Sequence, residues 1–193
     1  MARTDQERWD QRYRDGDWVD SDGPSPIVED AVPWLSPPGR ALDVACGSGR
    51  NSLFLARFGF EAIAVDLSWR GLHLLAKRAR SERLGVHPVQ ADLERFILPE
   101  DSFDVIVNTH FLMRDLFPKL QSALTPAGLL IIETYHVDEI DVLGGDIRRE
   151  YALEPEELKE AFSDLDILLY EEGIFNRAEG ERGLARLVAR KLG

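Results

Sequence analysis

From Arg40 onward, short apolar runs alternate with longer stretches whose apolar residues recur on one side only. ALDVA (41–45), EAIAVD (61–66), HPVQAD (87–92), FDVIVN (103–108) and LLIIETY (129–135) read as five buried strands. Between them, Asn51–Phe58 offers Leu53, Phe54 and Leu55 as the apolar side of a helix. A second helix is predicted from an N-cap at Ser68 through Leu84, with Leu72, Leu75, Ala76 and Ala79 inward. Leu112, Leu116, Leu120 and Leu124 repeat at spacing four, one helical face, and TPAG (125–128) ends it as a turn. Pro155–Phe162 reads as a short acidic-headed helix. DILLYEE (166–172) and LARLVARKL (184–192) then follow as two strands with a glycine-containing loop between them, too short for a crossover helix.

Strand and helix in alternation predict an α/β fold: a doubly wound, mostly parallel sheet with helices on both sides and an antiparallel C-terminal hairpin strand. One domain suffices for 193 residues. Residues 1–39 differ from the rest, being polar, dotted with Trp9, Tyr13 and Trp18, and closed by a proline-rich stretch. They are expected to form a lead-in or cap over a core comprising residues 40–193. Residues 136–154 carry no clear period and are a candidate lid or substrate loop.

Charge narrows the partners. Thirty-five acids against 23 bases leave a formal charge of −12, which repels a phosphate backbone and anionic membranes. Neither nucleic acid nor a membrane is therefore expected; a small ligand remains open. The single cysteine, Cys46, excludes an internal disulfide or cysteine zinc site, and four scattered histidines show no metal-ligand spacing. No apolar run nears the ~20 residues of a membrane span, and MARTDQERWDQRY has no secretory apolar core, so the expected location is cytoplasmic.

The chemistry concentrates at strand ends. ALDVACGSGRNS places Asp43, Ala45, Gly47 and Gly49 between the first strand and its helix. In open α/β sheets a ligand lies outside the carboxyl ends of the strands, where small residues admit it close to the backbone. A tight strand-to-helix turn would look similar. Asp66 ends the second strand 17 residues beyond Gly49, and Asp92 ends the third. A carboxylate at the first of these positions can accept from ribose hydroxyls, and one at the second from an adenine amino group. Asp43 opposes a pyrophosphate but suits a ligand bearing an ammonium group and a sulfonium, which describes S-adenosylmethionine.

At these residues the chain resembles the class I (Rossmann-like) methyltransferases. LDVACGSGRNS looks like their glycine-rich first motif, with Ala45 where many members have glycine. VDLS (65–68), QADLE (90–94) and FDVIVNTHF (103–111) look like the three that follow, and LTPAGLLIIETY (124–135) like the next turn and strand. RWDQRY (8–13) resembles the N-terminal helix of the small tellurite-resistance and thiopurine-type members. The resemblance implies S-adenosyl-L-methionine as cofactor and S-adenosyl-L-homocysteine as product. It implies that Asp43 balances the ligand's amino group and that backbone at Ala45, Gly47 and Gly49 lines its methionine part. Asp66 would hold the ribose and Leu67 the adenine face. Asp92 and Leu93 would read the adenine edge, the Asn108 carbonyl would reach the amino group, and Tyr13 would close over the carboxylate.

Methyl transfer from a sulfonium is an in-line displacement, so the protein mainly has to align donor and acceptor. His110, just after the fourth strand, is the candidate base; His136 is a second. Arg114, Tyr135, Arg148 and Tyr151 are candidates for holding a small acceptor, with the Arg148–Arg149 pair suited to an oxyanion. The same two arginines can equally pair with Glu150 and Asp146 on a solvated surface. Asn108-Thr109-His110-Phe111 lacks the prolines typical of enzymes methylating adenine or glutamine amino groups. A small-molecule acceptor follows as the expectation: a thiol, a chalcogen oxyanion or a small acid. Two alternatives remain: a non-catalytic S-adenosylmethionine-binding module, and a dinucleotide-dependent oxidoreductase. The sequence does not give the oligomeric state.

Overall fold

The computed structural model describes residues 2–15, 23–178 and 180–193. Seven strands form one sheet: β1 (Gly39–Val44), β2 (Phe60–Asp66), β3 (Val86–Gln90), β4 (Phe103–Thr109), β5 (Leu124–Tyr135), β6 (Asp166–Arg177) and β7 (Gly180–Arg190). Their spatial order is β3-β2-β1-β4-β5-β7-β6. The first five are parallel, and β7 enters antiparallel between β5 and β6. The order reverses beside β1, which puts the switch point at its carboxyl end.

The central strands are largely apolar because both faces are covered. Leu42 and Val44 of β1 face one side, with Ile106, Leu130 and Ile132. There they meet α5 (Phe117–Ala123) through Leu120 and α7 (Glu157–Ala161) through Leu158, with Phe162 just beyond α7. Ala41, Val105, Val107 and Ile131 face the other side, against α2 (Pro26–Asp30) and α3 (Arg50–Phe58). The next helix, α4 (Trp69–Glu82), packs Leu72 and Leu75 against Leu53 of α3 and Ala64 of β2. Ser68 caps α4 as predicted, its hydroxyl accepting from the Gly71 N–H at 3.1 Å.

Three segments depart from the sequence pattern. The leucine stripe 112–124 exceeds its helix: Pro118 presets the first turn of α5, residues 114–116 form a 3-10 turn, and Leu124 already opens β5. The hairpin strands run on to Arg177 and from Gly180, so the expected 11-residue loop is mostly ladder. The segment after β5 is stitched down at both ends. Short helix α6 (Asp138–Asp141) lies on β7, where the Gly183 N–H donates to Glu139 at 2.7 Å. Val137 and Leu153 each engage the far arm of the loop through backbone bonds.

The proline-rich lead-in joins the core. Ile27, Val28 and Ala31 are fully buried, and Ser25 N–H donates to Asn51 of α3 at 2.8 Å. Further upstream, α1 (Ala2–Asp15) lies against α4. Trp18 falls outside the described residues.

Candidate functional site

Three left-handed residues in five turn the chain from β1 into α3: Ala45 (φ 52°), Gly47 (φ 59°) and Gly49 (φ 84°). A side chain on Gly49 would put its Cβ 2.3 Å from Leu75 Cδ1, so glycine there lets α4 close on the loop. Cys46 N–H bonds the Val65 carbonyl at 3.0 Å and ties the loop to β2. Asp43 is buried below the loop. Its Oδ2 accepts from both the N–H (2.9 Å) and the hydroxyl (2.5 Å) of Ser52 in the first turn of α3. One oxygen of the expected ammonium partner thus anchors the helix that follows it.

Asp66 ends β2 with 9% of its surface exposed. Its Oδ2 accepts from Gly47 N–H at 2.8 Å and its Oδ1 from Ser68 N–H at 2.7 Å. The carboxylate therefore fixes the glycine loop and the start of α4 in one geometry. The Leu67 N–H is a third backbone donor; a carboxylate has about four acceptor positions, so capacity remains for a ligand hydroxyl. Burial pushes the Asp66 carboxyl above its ordinary range, the nearby Asp10 adds to this, and the backbone donors oppose it.

The third strand end is more open. Asp92 is half-buried and accepts from Glu94 N–H at 3.0 Å; Leu93 beside it is buried. Leu67 is half-buried, and its carbonyl accepts from Gln90 at 3.1 Å. On β4, Asn108 is 1% exposed and its Oδ1 has no hydrogen-bond partner among the described residues. His110 follows with a left-handed backbone (φ 56°), its N–H held by the Glu133 carbonyl at 2.8 Å. Its ring lies 5.9 Å from that of Tyr135 at the end of β5. Tyr13 of α1 reaches the same region: a Cβ on Gly71 would stand 2.8 Å from the Gly47 carbonyl oxygen and 3.1 Å from the Tyr13 ring. The structure thus gathers Tyr13, Asp43, Ala45, Gly47, Gly49, Asp66, Leu67, Asp92, Leu93 and Asn108 around the ends of β1 to β4. His110 and Tyr135 stand together at the neighbouring ends of β4 and β5.

The basic candidates are engaged elsewhere. Arg114 forks onto the Glu157 carboxylate, with one bond at 2.9 Å, and donates to the carbonyls of Glu150 and Ala152 at 3.0 Å. The Glu157 carboxylate is held below its ordinary range by this pairing, and the guanidinium is raised. Arg148 lies over the exposed Tyr151 ring at 4.4 Å, donates to its hydroxyl and pairs with Glu150 at 3.0 Å. Arg149 pairs with Asp141 and Glu154, not with Asp146. For these arginines to meet an oxyanion, they would have to leave these partners.

Sequence reasoning missed three features. Asp10 bonds the start of α4. Ser52 takes up Asp43. Buried Glu133 accepts from Arg177 (2.8 Å) and Arg186 (3.0 Å), and Arg186 also meets Glu171 and Asp30. Glu133 and Arg186 are directly opposite in the β5–β7 register, so correct pairing of those strands would have found that contact. Among the described residues, no group of three or more His, Cys, Asp or Glu side chains is placed to hold a metal, and no helix is long and apolar enough to cross a membrane.

Comparison with known proteins bears on this geometry. A family profile described as "Methyltransferase domain" matches residues 41–128. The probable S-adenosyl-L-methionine-dependent methyltransferase TehB of Haemophilus influenzae is 28% identical over 155 residues, covering 76% of this chain and 52% of that protein. The chain thus spans about half the length of that curated relative. The crystal structure of TehB from H. influenzae superposes with a TM-score of 0.76 at 22% identity, covering 96% of this chain and 66% of that one. Geranyl diphosphate C-methyltransferase from Streptomyces coelicolor, solved with S-adenosyl-L-homocysteine, gives 0.66 at 13% identity over 86% of this chain and 77% of its own. At those identities the two structures speak to the fold.

Proposed function

We propose that this chain is a class I S-adenosylmethionine-dependent methyltransferase that transfers a methyl group to a small-molecule acceptor. The observation that carries the reading is the Asp66 carboxylate, fixed by the glycine loop and the α4 start with acceptor capacity to spare. The donor set fits the cofactor in a second respect. Asn108 Oδ1 is a buried acceptor without a partner, beside the Ala45–Gly49 turn across the β1–β4 pairing. An acceptor left in that state costs about 1–3 kcal/mol, a cost that a donor from a bound ligand removes.

When bound, S-adenosylmethionine supplies a methyl group already activated on a sulfonium. Asp66 and Leu67 hold the nucleoside, and Asp92 with the Leu93 N–H reads the base. The Ala45, Gly47 and Gly49 backbone, with Asp43, Tyr13 and the Asn108 carbonyl, orients the amino-acid end. His110, in its left-handed turn against Tyr135, is the residue assigned in this proposal to take an acceptor's proton. The protein's work is alignment, for which effective molarities correspond to roughly 7–11 kcal/mol. A base is needed only where the acceptor holds a proton at working pH.

The acceptor side favours a small, weakly charged molecule, because Arg114, Arg148 and Arg149 are all paired within the chain. Within the range of a thiol, a chalcogen oxyanion or a small acid, this favours the thiol. Residues 1–39 as a cap on the 40–193 core, and a cytoplasmic setting, belong to the same proposal. The test is transfer of labelled methyl from S-adenosylmethionine to a panel of small thiols, chalcogen oxyanions and carboxylic acids, with protein and RNA fractions in parallel. Label appearing only in protein or RNA refutes the small acceptor. Binding of S-adenosylmethionine with no transfer to any acceptor favours a non-catalytic module.

A further inference from the structure

The RWDQRY segment of α1 has no task in the chemistry above beyond Tyr13, yet its Asp10 makes a defined contact. Asp10 is half-buried, and its Oδ1 accepts from the Ser68 hydroxyl at 2.6 Å and from the Arg70 N–H at 3.1 Å. The Arg70 N–H is one of the first amide groups of α4, which has no acceptor within its own helix. Asp10 therefore caps α4 from another element, alongside Ser68, the helix's own cap. The bond also reaches the nucleoside acid, since Ser68 N–H is the donor to Asp66 Oδ1 at 2.7 Å.

One turn further along α1, Tyr13 lies against Gly71, where an added Cβ would stand 3.1 Å from the Tyr13 ring and 2.8 Å from the Gly47 carbonyl oxygen. Three elements meet there with no room for a methyl group: α1, the glycine loop and α4. Asp10 and Tyr13 are three residues apart and so lie on one face of the helix. Fixing Asp10 fixes where the Tyr13 ring stands beside Gly71 and the neighbouring glycine loop.

We propose that Asp10 is a positioning residue for cofactor binding: it fastens α1 to the α4 start, sets Tyr13 on the glycine loop, and couples α1 docking to occupation of the site. This rests on the methyltransferase reading. By linkage the coupling is reciprocal: a bound nucleoside holds α1 down, and a docked α1 tightens the nucleoside.

The test uses the full chain and S-adenosylhomocysteine as the probe. Amide exchange over residues 2–15 is measured free and saturated, and affinity by calorimetry. In wild type, the probe is expected to slow exchange across α1. Asp10→Ala removes the acceptor and is expected to weaken binding about 3- to 30-fold, the range that loss of a helix cap corresponds to. It is also expected to abolish the probe-dependent slowing in α1. Asp10→Asn keeps an acceptor oxygen and is expected to rescue both, which loss of generic packing would not predict. Equal exchange in the free and saturated wild type overturns the proposal, and this holds even where Asp10→Ala fails to fold. Binding by Asp10→Ala within twofold of wild type overturns it as well. Failure of the wild type to bind the probe at all instead overturns the methyltransferase reading.

Discussion

Replacing Asp66 by asparagine tests the centre of the site with a near-isosteric change. The carboxylate accepts from Gly47 N–H at 2.8 Å on one oxygen and from Ser68 N–H at 2.7 Å on the other. An amide has one oxygen, so one of these N–H groups must face an NH₂ donor. A hydrogen bond to a charged group contributes about 1.5–3 kcal/mol; relief of the buried charge offsets part of that. We expect a net destabilisation of about 1 kcal/mol by urea unfolding. Binding suffers more, because the charged acceptor facing the ribose is gone: about 1.5–3 kcal/mol, or roughly 10- to 150-fold weaker S-adenosylhomocysteine. The pH dependence follows from the raised carboxyl of Asp66. The folded state takes up this proton at a higher pH than the unfolded chain. Asp66 therefore contributes stability that is fully present below its unfolded value and is lost as pH rises through the folded one. A ligand that bonds the charged form behaves oppositely, losing affinity as pH falls through that raised value. Calorimetry at neutral and mildly acidic pH should show this loss in wild type and not in Asp66→Asn. A variant binding within threefold of wild type, with the same pH dependence, would refute the assignment.

Four further outcomes are expected. Gly183→Ala should cost about 3 kcal/mol in urea unfolding, because its Cβ would lie 2.1 Å from the Glu139 backbone nitrogen and α6 would have to shift. Ala45→Gly should be neutral or stabilising by up to about 1 kcal/mol, since it relieves a left-handed alanine while loosening the unfolded chain; S-adenosylhomocysteine affinity should be kept. Arg186→Met leaves the 1%-exposed Glu133 with Arg177 alone and should lower stability by about 3–5 kcal/mol; a loss under 1 kcal/mol in the melting analysis would mean the network relaxes. Arg114→Ala should lower stability by about 1 kcal/mol at unchanged KM, whereas a raised KM with unchanged stability would assign the guanidinium to the acceptor.

The strands were readable because covering both faces of a parallel sheet forces continuous apolar runs. The strand-end acids were readable for the same reason: Asp43 and Asp66 interrupt an apolar pattern with a charge that must find partners. Those partners were not readable. Ser52 lies nine positions from Asp43 and Asp10 lies 58 from Ser68, contacts that no local periodicity encodes. Arg114 illustrates the converse. Its position after β4 invites a substrate role, and only the folding back of residues 150–157 puts Glu157 and two carbonyls around it. The full length of the hairpin was hidden by its composition, because Gly173, Asn176, Gly180 and Gly183 look like loop residues and yet lie within the β6–β7 ladder.

The strand order leaves two margins open, β3 on one side and β6 on the other, and an open margin is a template for fibrous self-association. Each margin carries its own deterrent. β3 is only five residues long and has Pro88 in its middle, so a neighbour docking there would meet a position without an amide hydrogen. β6 is twelve residues long but begins with a register shift between Ile167 and Leu169 and carries Glu171 and Glu172 at its centre. Two copies meeting edge to edge at β6 would bring like charges together across a kinked ladder. Neutralising substitutions at Glu171 and Glu172 would therefore remove that deterrent together with the Glu171 partner of buried Arg186, weakening both the protein's behaviour in concentrated solution and its hairpin.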